Sequence, residues 1–161
     1  MKLIPLNQGK FIKVDNEDFE KVNKYKWYFS EKQGIVTQVH ISGSNWRRRT
    51  QKKKHVLMHR LILDAPKYLM VDHKNGDKLD NRKENLRLCT HADNMRNRIA
   101  HKKSKSGYKG VNWNFSKWQA RIWFNNKCII LGQYENKKDA AKAYNEAAKK
   151  YFGEFARLNK I

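Results

Sequence analysis

The chain is poor in cysteine and proline, and poor in negative charge. Cys89 and Cys128 are its two thiols, too few and too isolated for a disulfide framework or a four-thiolate zinc site. A reducing, intracellular setting fits that content. No apolar run approaches the roughly 18 residues that a membrane-crossing helix needs, and the N-terminus lacks the apolar core of a signal peptide. A soluble protein with no membrane partner is therefore expected. Carboxylates number 15 against 36 Lys and Arg over 161 residues, a net charge of +21. That excess is far beyond what solubility requires and points to a polyanionic partner. Alongside the basic residues stand five Trp, seven Tyr and seven Phe, enough for a folded core rather than a disordered basic tail.

An α+β class is expected, in several short modules. Residues 1–54 read as a small α+β piece. Leu3-Ile-Pro-Leu6 and Phe11-Ile-Lys-Val14 flank Asn7-Gln-Gly9, a hairpin turn signal. Asp15 or Asn16 can cap a short helix in which Phe19 and Val22 face the core. Trp27-Tyr-Phe29 and Ile35 to Ile41 read as strands, and Ile35, Thr37, Val39 and Ile41 alternate onto one buried face. His40 sits among these without a chemical partner. Arg47-Arg48-Arg49 and Lys52-Lys-Lys54 crowd like charges, which predicts a loop suited to contacting phosphates. His55 to Leu63 begins as a strand and turns helical, with His59 buttressing the core, and Asp64-Ala-Pro66 ends it.

Residues 55–98 carry the chemistry. An apolar run ends in Asp72-His73, a polar Gly-containing loop follows, and Leu86 to Cys89 leads into a helical segment. Phosphodiester hydrolysis needs a base for the attacking water, a counter-charge for the phosphate and support for the leaving oxygen. His73 is the candidate base, since an ordinary imidazole titrates near neutrality. Asp72 and Asn94 are the candidate metal ligands. Their oxygen donors favour Mg²⁺, with Mn²⁺ as substitute, over zinc. Asn85 is expected to cross-link the loop backbone and hold His73 in aim. His91, three residues before Asn94, is a competing ligand.

This layout resembles the HNH homing endonucleases of phages and bacteria, nucleases of the ββα-metal fold. The similarity is carried by Met58-His-Arg-Leu61, Asp72-His73, Asn75-Gly-Asp77, Leu79-Asp-Asn81, Glu84-Asn-Leu-Arg87 and Asp93-Asn94. It implies a metal at Asp72 and Asn94, His73 as base and Asn85 as the central Asn, with Asn81 its rival for that structural role. It also implies cleavage to 5′-phosphate and 3′-hydroxyl ends, one strand per site.

Residues 99–106 are basic and Ser-rich and read as a linker. In 107–161, Tyr108 to Asn112, Lys117 to Phe124 and Lys127 to Tyr134 read as three antiparallel strands, with Asn125-Asn126 a tight turn. A helix capped by Asn136, with Ala140, Ala141, Tyr144, Ala147, Ala148 and Tyr151 on one face, runs to a stop at Gly153. Trp118, Ala120, Ile122 and Phe124 should face that helix, and Lys117, Gln119, Arg121 and Trp123 the other way. The stretch resembles the APETALA-type (ethylene-response-factor) DNA-binding domain through Tyr108-Lys-Gly-Val111, Lys117-Trp118-Ala120-Ile122, Leu131-Gly-Gln-Tyr134 and Leu158-Asn159. That resemblance implies a sheet docked in the major groove, with Lys109, Asn112, Asn114, Lys117, Arg121 and Trp123 facing DNA. Asn112 and Asn114 replace the usual Arg, and Ile130 the usual Trp, so the plant target does not carry over.

The expectation is a Mg²⁺-dependent endonuclease that acts on double-stranded DNA without an obligate protein partner. It would work in the cytoplasm of a prokaryotic or phage-infected cell, near the nucleoid. A non-catalytic DNA-binding regulator built on the same scaffold is the alternative, and an RNA-binding protein is a third reading.

Overall fold

Two short alternating runs pair first. The computed structural model of the protein describes residues 1–6, 9–30, 34–40, 53–100 and 104–161. Strands β1 (Lys2–Pro5) and β2 (Phe11–Val14) form an antiparallel hairpin with Ile4 opposite Ile12. Period-two alternation puts Ile12 and Val14 fully inside. Helix α1 (Asn16–Val22) follows with Asp15 at its N-cap position. The Asp15 side chain does not cap that helix. Its Oδ2 accepts from the Lys83 backbone N–H at 2.8 Å, a link to a distant loop.

Strands β3 (Tyr28–Ser30), β4 (Gly34–His40) and β5 (Lys53–Leu57) form a three-stranded antiparallel sheet in that order. Two expectations change here. Ile35, Val36 and Thr37 are all buried, so β4 is covered on both faces and does not alternate at its start. Thr37 is accommodated because its hydroxyl donates to the Lys26 carbonyl at 2.6 Å. Lys53 and Lys54, expected in a charged loop, are strand residues of β5. Arg47, Arg48 and Arg49 lie outside the described residues.

Helix α2 (Met58–Ile62) ends at Asp64, whose φ is +47°. Arg60 then fixes the loop beyond it. Its guanidinium donates to the carbonyls of Leu69 at 2.7 Å, Pro66 at 2.8 Å and Ala65 at 3.2 Å. The chain thus enters β6 (Met70–His73) from an anchored position. Strand β6 pairs antiparallel with β7 (Leu86–Cys89), and a 3-10 turn at Lys83–Asn85 precedes β7.

One core serves all of this. Ile4, Ile12, Val14, Val22, Trp27, Ile35, Met58, Ile62, Val71 and Leu86 form a single buried cluster. Residues before and after position 54 contribute to it. By backbone contacts the described chain forms two compact units, Met1–His91 and Ala92–Ile161.

The second unit begins within α3 (His91–Arg96) and centres on an antiparallel sheet of order β10-β9-β8. Its strands are β8 (Val111–Asn114), β9 (Lys117–Phe124) and β10 (Lys127–Tyr134). Asn125 and Asn126 turn the β9–β10 hairpin with φ of +49° and +60°, the left-handed pair a two-residue turn requires. Helix α4 (Lys137–Phe152) starts at Asn136, whose side chain accepts from Lys138 N at 2.9 Å, and stops at Gly153. Its alanines Ala140, Ala141 and Ala148 are fully buried against the sheet. Gly110 permits the closest approach, because a Cβ there would lie 2.0 Å from the Tyr144 ring. Ser106, expected in the linker, is buried with its hydroxyl on the Val111 carbonyl at 2.7 Å, so the unit's packing starts before Tyr108.

Candidate active site

The strand pairing places the chemistry. In the β6–β7 register Asp72 lies opposite Arg87 and His73 opposite Leu86. Asp72 and His73 are both buried, at 6% and 8% exposure. Cross-strand pairing gives the Asp72 carboxylate a partner: its Oδ2 accepts from Arg87 Nη2 at 2.8 Å and Nε at 3.0 Å. A buried carboxylate of this kind needs such pairing. Sequence spacing alone does not single out Arg87; only the register does.

The loop after His73 is held by side-chain amides. Lys74 N–H donates to the Asn85 carbonyl at 2.8 Å, and Asn75 N–H donates to Asn85 Oδ1 at 3.0 Å. Asn85 Nδ2 donates to the Asp80 carbonyl at 2.7 Å. The Asn85 side chain therefore bridges the two ends of the loop. Gly76, with φ of +80°, makes the turn, and its N–H donates to the His73 carbonyl at 2.9 Å. Asp80 and Arg82 form a bidentate pair, both bonds 2.7 Å, and that pair holds the Asp80 carboxyl below its ordinary range.

His73 meets two neighbours. Its Nε2 lies 3.4 Å from Asn81 Oδ1. Its ring stands edge-on to the His59 ring, with centroids 5.2 Å apart and planes at 83°. Burial lowers the His73 pKa, and this outweighs the opposing pull of the Asn81 bond and of Asp72, Asp77 and Asp80. The imidazole is accordingly neutral near pH 7. His59 is pushed down to about 3, first by burial, then by coupling to the adjacent His73 ring and by the positive charges of Arg60 and Lys78. His59 Nδ1 is buried with no hydrogen-bond partner among the described residues.

The other sequence candidates lie on later elements. Asn94 is half-buried on α3, in the second unit. His91 is exposed at the start of that helix, and Cys89 is buried at the end of β7. Among the described residues no cluster of three or more His, Cys, Asp or Glu could hold a metal ion. An ion at Asp72 would take few protein ligands, all hard oxygens. That fits Mg²⁺, which keeps several waters and binds through one or two carboxylates and substrate phosphates.

In the second unit, Asn112 pairs with Gln119, Asn114 with Lys117, Arg121 with Ile130 and Trp123 with Cys128. Val111, Ala120 and Ile122 are buried, so the alternate residues Asn112, Asn114, Lys117, Arg121 and Trp123 share the face turned away from α4. Trp123 is 63% exposed, while Trp118 packs against the core. Lys117 pairs with Glu135 at 2.8 Å. Lys109 is drawn inward: its ammonium donates to the Arg96 carbonyl, and burial, aided by Arg157, lowers its pKa to about 8.

A strand ending in a buried acid and a neutral imidazole, a loop stapled by amides, and a returning strand lie together in the first unit. Residues 52–96 match the family model described as HNH endonuclease. Over 161 residues the chain is 29% identical to an uncharacterized HNH endonuclease of Acanthamoeba polyphaga mimivirus, covering 99% of this chain and 80% of that protein. Residues 52–96 are thus similar to the HNH endonucleases, and both similarities support a DNA-cleaving nuclease. No described helix is long and apolar enough to cross a membrane.

Proposed function

We propose that the protein is a Mg²⁺-dependent endonuclease of homing type that hydrolyses phosphodiester bonds in double-stranded DNA, one strand per site. The observation that carries this reading is the buried Asp72-His73 pair at the mouth of the amide-stapled loop. His73, neutral near pH 7, takes the proton of the attacking water. Asp72 and Asn94 are the residues that would hold the metal, with Mn²⁺ able to replace Mg²⁺. When bound there, such an ion would supply positive charge for the phosphate oxygens and the leaving oxygen. Asn85 acts at one remove by fixing the loop from which His73 is presented.

The second unit supplies affinity. Asn112, Asn114, Lys117, Arg121 and Trp123 form its DNA-facing set. Lys109 belongs with them by sequence, although its ammonium also serves the fold. Arg47, Arg48 and Arg49 add phosphate contacts. The net charge of +21 favours duplex DNA through counterion release. The homing-type reading rests on the sequence resemblance, and the viral relative agrees with a phage or infected-cell setting.

Supercoiled plasmid incubated with protein and Mg²⁺ tests the reading. Nicked circles with 5′-phosphate ends are expected. They should disappear with EDTA, return with Mg²⁺ or Mn²⁺, and fall by at least about 100-fold in His73→Ala. Equal nicking by the variant would remove His73 from the reaction.

A further inference from the structure

The outer face of the β10-β9-β8 sheet has two chemically different ends. Its register sets three carboxamides in one row: Asn112 lies opposite Gln119, and Gln119 opposite Gln133. Asn112 and Gln133 are exposed and Gln119 is half-buried. Among the described residues none of these three amide groups is taken by a hydrogen bond. A bulge brings the third amide into the row. Between Ile130 and Gly132 the β10 register slips by one residue. Without that slip Gly132 would oppose Gln119, and Gln133 would turn toward α4. Gly132 accommodates the bulge with φ of +150°, and a Cβ there would lie 2.9 Å from the Tyr134 hydroxyl oxygen. The other end of the face is apolar. Trp123 lies opposite Cys128 and Arg121 opposite Ile130. Trp123 and Ile130 are each 63% exposed. The three strands contain no Asp or Glu, so no carboxylate on them repels phosphate.

A carboxamide carries a donor beside an acceptor, the complement of adenine N7 and N6–H in the major groove. Guanine presents two acceptors there, which a guanidinium fits and an amide does not. Thymine presents a methyl group suited to an apolar side chain. Three strands span about 10 Å, within a major groove roughly 12 Å wide. Two residues along a strand advance about 7 Å, or about two base-pair steps. We propose that this face reads an A·T-rich site in duplex DNA. Asn112, Gln119 and Gln133 bond adenines, Ile130 and Trp123 cover thymine methyl groups about two to four base pairs on, and Arg121 between them takes a guanine. The proposal rests on the DNA-binding reading of the second unit and adds the base preference to it.

The test uses the full chain without divalent metal, at fixed salt, and a pool of duplexes randomised over about one helical turn. The bound pool should be enriched in A·T pairs. Base analogues in a selected duplex then separate groove contacts from DNA shape. Replacing a contacted adenine by 7-deazaadenine deletes N7 in the major groove and leaves the minor groove unchanged. Affinity should fall about 5- to 100-fold. Uracil in place of a contacted thymine should cost about 3- to 5-fold. Gln119→Ala should abolish the 7-deazaadenine effect at one position, and Ile130→Ala the uracil effect at another. Both should leave the salt slope unchanged, since neither side chain carries charge. Asn112→Arg should convert one selected adenine to guanine, a gain that a misfolded sheet does not produce. A pool that is unbiased or G·C-rich, or an A·T-rich pool indifferent to 7-deazaadenine, overturns the base reading and leaves DNA binding standing. Analogue effects that persist in the alanine variants overturn the assignment to these residues. Absence of binding to any duplex refutes the DNA-binding reading, and the proposal with it.

Discussion

Replacing Asn85 by alanine tests how the loop is built. The side chain makes one bond at each end of the loop, to Asn75 N–H at 3.0 Å and to the Asp80 carbonyl at 2.7 Å. Asn75 is exposed, so its N–H can recover a water, and that loss costs about 1 kcal/mol. Asp80 is 2% exposed, so its carbonyl is stranded, at about 1–3 kcal/mol. The sum is about 2–4 kcal/mol. For a unit the size of Met1–His91 this lowers the melting temperature by about 10–20 °C. The assay is thermal unfolding without metal, so that ligand binding does not mask the change. Hydrogen exchange at Asn75 locates it, because that amide should lose its protection first. A shift under about 3 °C with Asn75 protection intact would show that the loop is held by other bonds and refute the reasoning.

His59 predicts acid instability. Its folded pKa of about 3 lies below the unfolded value, so its contribution is present above about pH 6.5 and is lost as pH falls toward 3. Between pH 7 and pH 5 the loss is about 2 kcal/mol, and His59→Leu should flatten denaturation midpoints over that window; an unchanged slope would show that His59 is solvated in the fold. The lowered pKa of His73 acts in the same direction and leaves a smaller residual slope. Arg121, exposed on the outer face of the sheet, should matter to DNA and not to folding. Arg121→Ala should leave stability within about 0.5 kcal/mol and reduce the slope of log Kd against log salt by about 1. A fluorescence anisotropy titration at several salt concentrations reads the slope, and an unchanged slope would remove Arg121 from the interface.

Much of the second unit was legible because its signals are local. Asn125-Asn126 needed a left-handed turn, Asn136 needed only the next few residues to cap, and alanines at helical spacing needed only a flat surface to lie against. The first unit was legible where the signal was local and opaque where it was not. The Asp72-His73 strand end and the Asn-rich loop could be read directly. The pairing of Asp72 with Arg87 depends on a register that two four-residue strands do not announce. The alternation expected in β4 fails because elements far away in sequence cover its second face. Asp15 has the composition of a helix cap, yet its carboxylate is taken by Lys83, 68 residues on. Propensity states what a side chain can do locally and is overridden where a distant partner offers a better bond.

That override also explains why the N-terminal piece cannot be separated from the nuclease motif. Strands β6 and β7 are four residues each, and a two-stranded hairpin of that length has no interior of its own. Val71 and Leu86 must be buried by something, and the cluster that receives them is built from β1, β2, α1, β4 and α2. The polar side of the loop follows the same route. Lys13 holds residues 79 and 81 through its backbone, Asp15 holds Lys83 N–H, and Glu17 holds the Lys83 ammonium at 2.6 Å. A loop that presents a neutral imidazole must resist two tendencies: hydration of its own amides, and closure of the ring onto nearby carboxylates. Backbone bonds to a strand resist both, since they neither titrate nor change rotamer. The attraction between the exposed Lys83 ammonium and Glu17 would weaken with salt, whereas the Lys13–Asn81 backbone bond would not. The durable part of the positioning therefore lies in β2, a strand that contributes no functional group to the reaction.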